Sequence, residues 1–312
     1  MKKIIALLSL TQVLNGSTRI DFVSSFTFDE FVPRNKVARD TGFQVRYFRQ
    51  TFDLYFDYFY KPEIAKLFIT ADTGDGSKLA QVPVEKRILL LFEPHGKCSD
   101  EVEATYGRIY TFNDDLIDGK KYFKLFFPTL RPMLTDLPSF EDKKFCVMMT
   151  HRATSERIKI AKFLETKPYD EFEYYGFHQA IQTDRYRGQI PGHPLSQEKF
   201  DVLKQFRFCM CFENTMINGY VSEKIFTCFT AGCVPIYLGA PNVETYIPKD
   251  CFIDYRDFAN DEELYQFLKS MTKAQYERYL ENIAAYLTSE MGSLFSQKHF
   301  SEIVADCVTN SF

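Results

Sequence analysis

Between positions 213 and 224 the chain gathers Glu213, Asn214, Tyr220, Ser222, Glu223 and Lys224: two carboxylates, an amide, two hydroxyls and a cation. A lysine next to the free N–H groups of a helix start makes a seat for phosphate, because ammonium and helix dipole both favour negative charge. The alternative for any Glu-Lys pair is an exposed helix start with solvated charges. A further carboxylate, Glu93, follows the apolar run RILLLF at 87–92. At the end of a buried strand it is a candidate general base, able to take a proton from an attacking hydroxyl. A helix cap or loop acid is the equal alternative.

The surrounding pattern says which elements must hold these groups. Phe208–Phe212 is a short run of β-formers, Asn214, Asn218 and Gly219 are turn-prone, and Ser222 stands at a helix N-cap position. Ile225, Phe226 and Phe229 follow at helical spacing, Gly232 ends the helix, and VPIYLG at 234–239 is a second buried strand. Strand, loop, helix and strand form one unit of a parallel α/β layer, in which ligands sit beyond the carboxyl ends of strands. Ile88–Phe92 is also expected as a buried parallel strand.

Further strands are expected at 19–23, 144–150 and up to Tyr175-Gly176. A helix over 151–166 should start from Thr154 or Ser155, with Ile158, Ala161, Phe163 and Leu164 inward. Two amphipathic helices are expected at 261–271 and 272–287, the second with a Thr272/Gln275 capping box, and a last helix at 299–308. The proline-bearing stretch 131–144 has the composition of an interdomain linker, and 182–195 that of a polar loop. The aromatic run FDLYFDYFY at 52–60 suits a core, with a sugar-binding surface as the lesser alternative. His178 and His193 are expected on surface or loop.

With 312 residues the chain suits two domains, and its 45% apolar and 26% charged content is that of a globular protein. A net charge of −4 argues against a nucleic-acid partner. No run reaches the roughly 18 apolar residues of a membrane span. In MKKIIALLSLTQVLNGS (1–17) a first core strand is expected at Ile4–Leu10, a cleaved signal peptide over 1–17 being the lesser alternative. The eight cysteines lie mostly in apolar runs without CxxC spacing, which favours buried thiols, a reduced cytoplasmic setting and no zinc site. Peripheral membrane contact is left open.

The 208–242 segment closely resembles the signature of the family 10 glycosyltransferases, the α-1,3/1,4-fucosyltransferases. The matching blocks are Phe212-Glu213-Asn214-Thr215, Tyr220-Val221-Ser222-Glu223-Lys224-Ile225 and Ala231-Gly232-Cys233-Val234-Pro235-Ile236-Tyr237-Leu238-Gly239-Ala240-Pro241-Asn242. Weaker similarity runs from about 87 to 260, and Arg157 falls where the family has an arginine that contacts the donor pyrophosphate. His151-Arg152 departs from the family's Asn-Pro, and the context of Glu93 matches only in part.

The resemblance implies a GT-B fold: two Rossmann-like α/β lobes with parallel sheets facing a central cleft. It implies an acceptor domain over 1–140, a donor domain over 141–298 and a C-terminal helix at 299–312 returning to the first. The implied activity is inverting transfer of L-fucose from GDP-β-L-fucose to an N-acetyllactosamine-like oligosaccharide or glycoconjugate, in α-1,3 or α-1,4 linkage. The alternatives are a transferase for another GDP-sugar and an inactive nucleotide-sugar-binding protein. On this reading Glu93 and Glu223 are catalytic, and Arg157, Asn214, Tyr220, Ser222, Glu223 and Lys224 bind the donor. No metal or cofactor is required, a divalent cation being at most stimulatory.

Overall fold

The computed structural model describes residues 20–24, 67–71, 83–92, 98–191, 195–300 and 302–303, with 20–24, 67–71 and Lys86 as backbone only. Glu93, the aromatic run at 52–60, residues 1–17, His193 and Cys307 lie outside the described residues. The chain divides into two compact units, one of residues 1–126 with 297–312 and one of residues 127–296.

The first unit holds a parallel sheet of β1 (Ile20–Ser24), β2 (Leu67–Ala71), β3 (Arg87–Leu91), β4 (Arg108–Thr111) and β5 (Tyr122–Lys124), neighbours in that order. β3 is central, and its uninterrupted Ile88, Leu89 and Leu90 are fully buried, as a strand covered on both faces requires. Helix α1 (Asp100–Ala104) follows it, capped by Ser99. Cys98, Tyr106, Ile109 and Tyr122 pack with Leu89 and Leu91 into one core cluster. Residues 297–300 and 302–303 are helical, and the Phe300 ring lies 6.0 Å from that of Phe92.

The second unit carries β6 (Lys144–Thr150), helix α2 (Ser155–Glu165), β7 (Phe172–Gly176), helix α3 (Gln197–Leu203), β8 (Phe206–Phe212) and helix α4 (Glu223–Thr230). β9 (Val234–Leu238), β10 (Ile253–Asp254) and helices α5 (Asp261–Ser270), α6 (Lys273–Leu287) and α7 (Glu290–Ser293) complete it. All five strands are parallel, in the order β10-β9-β8-β6-β7. Chain order therefore reverses between β6 and β8, where the next strand is laid on the opposite side from β7.

The core of this unit is built from alternate residues of the strands, among them Phe208, Met210, Phe212 and Ile236, with Ile160, Leu164, Leu264 and Leu268 from the helices. α4 is buried from Ile225 through Thr230, so its polar work is confined to its first turn. It ends at Gly232, whose φ of +58° lies in the left-handed region and where a Cβ would run into Leu137. The carbonyl freed there accepts from Lys143 Nζ at 2.8 Å and Tyr276 Oη at 2.9 Å. α6 carries the expected capping box, with Thr272 and Gln275 satisfying each other's backbone N–H groups.

Two expectations need correction. In α2 the buried residues are Arg157, Ile160, Ala161 and Leu164, while Ile158 is 40% exposed. The helix is rotated because Arg157, expected from the resemblance to contact the donor pyrophosphate, takes a buried, inward position. The stretch 131–144 is tied into the second unit, Leu134 N–H donating to Thr230 O at 2.8 Å. Its prolines mark extended backbone laid on a helix end, not a free linker.

Candidate active site

Three parallel strands of the second unit end together at Thr150, Gly176 and Phe212, and the loops that leave them border a cavity of about 300 Å³. His151 and Arg152 come from the β6 end, Tyr175 and Gly176 from β7, and Asn214 from β8. Lys199 of α3 and Glu223 and Lys224 of α4 close it. This is the crevice expected beside a reversal of strand order.

The first turn of α4 is set by one carboxylate. The Glu213 side chain is fully buried, and Oε1 accepts the Ser222 backbone N–H at 2.8 Å. Oε2 accepts from Ser222 Oγ at 2.7 Å and from Lys224 Nζ at 2.8 Å. Lys224 also donates to Ser222 Oγ at 2.9 Å, and Glu223 Oε1 lies 3.8 Å from its Nζ. Burial opposes the Lys224 charge, but Glu213 and Glu223 outweigh it and hold the ammonium well above its ordinary pKa. Burial likewise opposes the Glu223 carboxylate, yet Lys224, its own backbone N–H and Lys199 bring its pKa below the ordinary value. Both side chains are therefore ionised across the neutral range. Ser222 caps the helix, its Oγ accepting from Lys224 N–H at 3.4 Å.

Of the residues singled out from sequence, the structure brings Asn214, Glu223 and Lys224 to the cavity wall. Ser222, 1% exposed, and Tyr220, 3% exposed, stand behind it. Tyr220 packs edge-on against Phe127 at 5.9 Å, and its carbonyl accepts from Tyr237 Oη at 3.3 Å.

Arg157 also stands behind the wall, 1% exposed. Its guanidinium donates to Phe212 O, to Arg152 O at 3.0 Å and to Asn214 Oδ1 at 3.1 Å. Burial lowers its pKa, and Glu213 is the leading group that supports its charge. The fork ties the β6 and β8 loops to each other. Gly239 is needed behind the site, since a Cβ there would meet Tyr237 Oη and Glu213 Cγ. Asn242 Oδ1 accepts from Gly219 N–H at 2.8 Å, holding the loop where Gly219 adopts φ +81°.

Sequence reasoning missed Lys199 altogether. The signal available was Ser196 at an N-cap position before Gln197–Leu203 with Phe200 and Leu203 inward, a short helix without a side-chain cap and too polar to stand out. Glu213, grouped by sequence with the charged residues of 213–224, stands behind the wall and braces the loop. Among the described residues no three His, Cys, Asp or Glu side chains group as a metal site, and no helix is long and apolar enough to cross a membrane. Cys98, Cys146, Cys209, Cys211, Cys228, Cys233 and Cys251 are buried thiols.

With this geometry in view, residues 141–308, more than half of the chain, match the model of glycosyltransferase family 10 (fucosyltransferase), C-terminal part. Over 210 residues the chain is 42% identical to 4-galactosyl-N-acetylglucosaminide 3-alpha-L-fucosyltransferase 9 of Rattus norvegicus, covering 66% of this chain and 54% of that protein. The chain thus spans about half the length of that curated relative, and 28% of one from Homo sapiens, alpha-(1,3)-fucosyltransferase 7. The fold is similar to that of an alpha1,3-fucosyltransferase crystallised with GDP (TM-score 0.63, 16% identity, 95% of this chain and 92% of that one). One crystallised with GDP-fucose gives a TM-score of 0.57 at 17% identity, over 84% and 81% of the chains. The fold is GT-B type α/β with parallel sheets.

Proposed function

Because the chain belongs to glycosyltransferase family 10, the fucosyltransferases, we propose that it transfers L-fucose from GDP-β-L-fucose, with inversion, to a hydroxyl of an N-acetyllactosamine-like glycan. The observation that carries this reading is the Lys224 ammonium, fixed by Glu213 and Ser222 at the first turn of α4 on the wall of the cavity. There it meets a diphosphate without having to be ordered at the moment of reaction.

In the reaction the acceptor oxygen forms a bond to C1 of fucose as the bond from C1 to the β-phosphate oxygen breaks. The electron pair of that bond leaves on GDP. Lys224 and the N–H groups of the α4 start stabilise the charge gathering on the diphosphate. Glu223, ionised beside Lys224, is suited to a donor hydroxyl or to the positive charge developing on the sugar ring, and Asn214 to a polar contact with the donor. Arg157, Tyr220 and Ser222 serve donor binding by holding the walls of the seat. The acceptor proton passes to a carboxylate, and Glu93, two residues beyond the last residue of β3, is the proposed base. The cations are side chains of the chain, so no cofactor or obligatory divalent ion is required on this reading.

Purified protein incubated with GDP-fucose and Galβ1-4GlcNAc- or Galβ1-3GlcNAc-type acceptors should release GDP and yield a fucosylated product, in EDTA as in buffer. Turnover of another nucleotide-sugar with GDP-fucose left intact would overturn the donor assignment.

A further inference from the structure

The buried cations of the second unit nearly all have partners in the protein. Lys143 Nζ donates to Lys204 O at 2.7 Å and Gly232 O at 2.8 Å, Lys224 is held by Glu213, and Arg157 is spent on loop carbonyls and Asn214. Arg185 donates to Glu165 O at 2.9 Å and Lys167 O at 3.1 Å, at the end of α2. Among the described residues Lys199 and Arg207 are the exceptions, and of the two Arg207 lies over the Phe140 and Phe145 rings while Lys199 faces open space. Lys199 lines the 300 Å³ cavity and a recess of about 50 Å³ between α3, β8 and α4, and among the described residues no hydrogen bond or ion pair holds its ammonium.

The charges that face Lys199 are Glu223 and Lys224 on α4, with the Cys209 thiol of β8 and His151 beyond β6 nearby. Burial lowers its pKa, Glu223 opposes that effect and Lys224 adds to it. Arg157, Lys224 and Lys199 are three cations drawing on two carboxylates, Glu213 and Glu223, so one positive charge in this group lacks a dedicated counter-charge. An ammonium half-withdrawn from water without a partner is unfavourable unless an anion completes it.

We propose that Lys199 is a third cation of the phosphate seat, supplied by α3, whose counter-charge is the diphosphate of the bound nucleotide. The inference rests on the reading of the cavity as a nucleoside-diphosphate site and extends it to a residue outside the 213–224 segment. The ammonium reaches the ligand from α3, packed beside the α4 that carries Lys224, so the two lysines offer the diphosphate neighbouring charges from different helices. Lys199 is thus a binding group for the leaving diphosphate, distinct from the sugar-facing side chains.

The test is calorimetric titration of the full chain with inorganic pyrophosphate and with GDP, for wild type, Lys199→Met and Lys199→Arg, beside the thermal midpoint of each unliganded protein. Lys199→Met keeps the aliphatic stem and removes the charge. It should weaken both probes by about tenfold or more, the value of a charge-assisted hydrogen bond. Its thermal midpoint without ligand should stay level or rise, because an unpaired cation has gone. Lys199→Arg should remain within about threefold of wild type, since the charge and donors are retained.

Wild-type affinity in Lys199→Met, or a lowered midpoint in that variant, would overturn the proposal. So would failure of the wild type to bind either probe. Pyrophosphate binding that depends on Lys199 in a protein that leaves GDP-fucose untouched would uphold the proposal and remove the donor reading alone.

Discussion

The two parallel sheets differ in one respect that decides where chemistry can be placed. In the first unit the strands follow chain order from β1 to β5, each laid beside the last. In the second the order is β10-β9-β8-β6-β7, and the chain turns back after β7 to lay β8 on the other side of β6. A serial sheet sends successive connections the same way. A reversal sends the connections leaving adjacent strands apart and opens a crevice at their carboxyl ends. The cavity with Asn214, Glu223 and Lys224 lies at the ends of β6, β7 and β8, where the reversal occurs. Topology supplies the space, and the residues after each strand end supply the charge.

If the second unit receives the donor and the first contributes the base, substitutions in the two should separate. Glu93→Ala should reduce transfer by about 10²–10⁴ while leaving the calorimetric affinity for GDP at wild type. A parallel loss of GDP affinity would end that division of labour. Lys224→Ala should lose roughly 10²–10³ in turnover and also weaken GDP binding, because its partner is the leaving group itself.

Glu213→Ala is expected to act through the fold as well as the ligand. It strands the buried ends of Ser222 and Lys224 and should cost about 3–5 kcal/mol in urea unfolding, together with GDP binding. Full stability in that variant would show that the first turn of α4 does not depend on its carboxylate. Lys143→Met, at the other end of α4, leaves the Lys204 carbonyl without this donor and Gly232 O with Tyr276 Oη alone. It should cost about 1–3 kcal/mol, with GDP affinity unchanged. That outcome would separate the two ends of one helix into a binding end and a structural end.

Much of this was readable in the residues, for physical reasons that differ by element. β8, α4 and β9 are short, apolar and sharply punctuated by Asn214, Ser222 and Gly232, so local chemistry alone fixes their limits within a residue or two. The Thr272/Gln275 box is a local pair and was equally legible. What sequence could not give is the direction of a long side chain. Arg157 reads from the family pattern as a phosphate contact, and nothing local to its helix shows that Phe212 O and Asn214 draw its guanidinium inward. Lys199 was hidden for the same reason: α3 has only Phe200 and Leu203 as buried anchors, and its cavity exists only once β6, β8 and α4 are assembled.

The smallest expected effect is also the finest probe of the seat. Burial lowers the pKa of His151 from its ordinary 6.5, and Lys199 lowers it further. The unfolded chain therefore takes up this proton at a higher pH than the native one. As pH falls through about 6.5, native stability should fall by the small amount this exposed imidazole controls, and none of the effect should be present well above that pH. Lys199→Met removes the nearby positive charge, so the imidazole titration followed by NMR should shift to higher pH. GDP should shift it the same way in the wild type, because a diphosphate between the two cations reverses the sign of the local field. If GDP binds and the His151 titration does not move, the diphosphate sits elsewhere, and the reversal between β6 and β8 has opened a crevice that the ligand does not use.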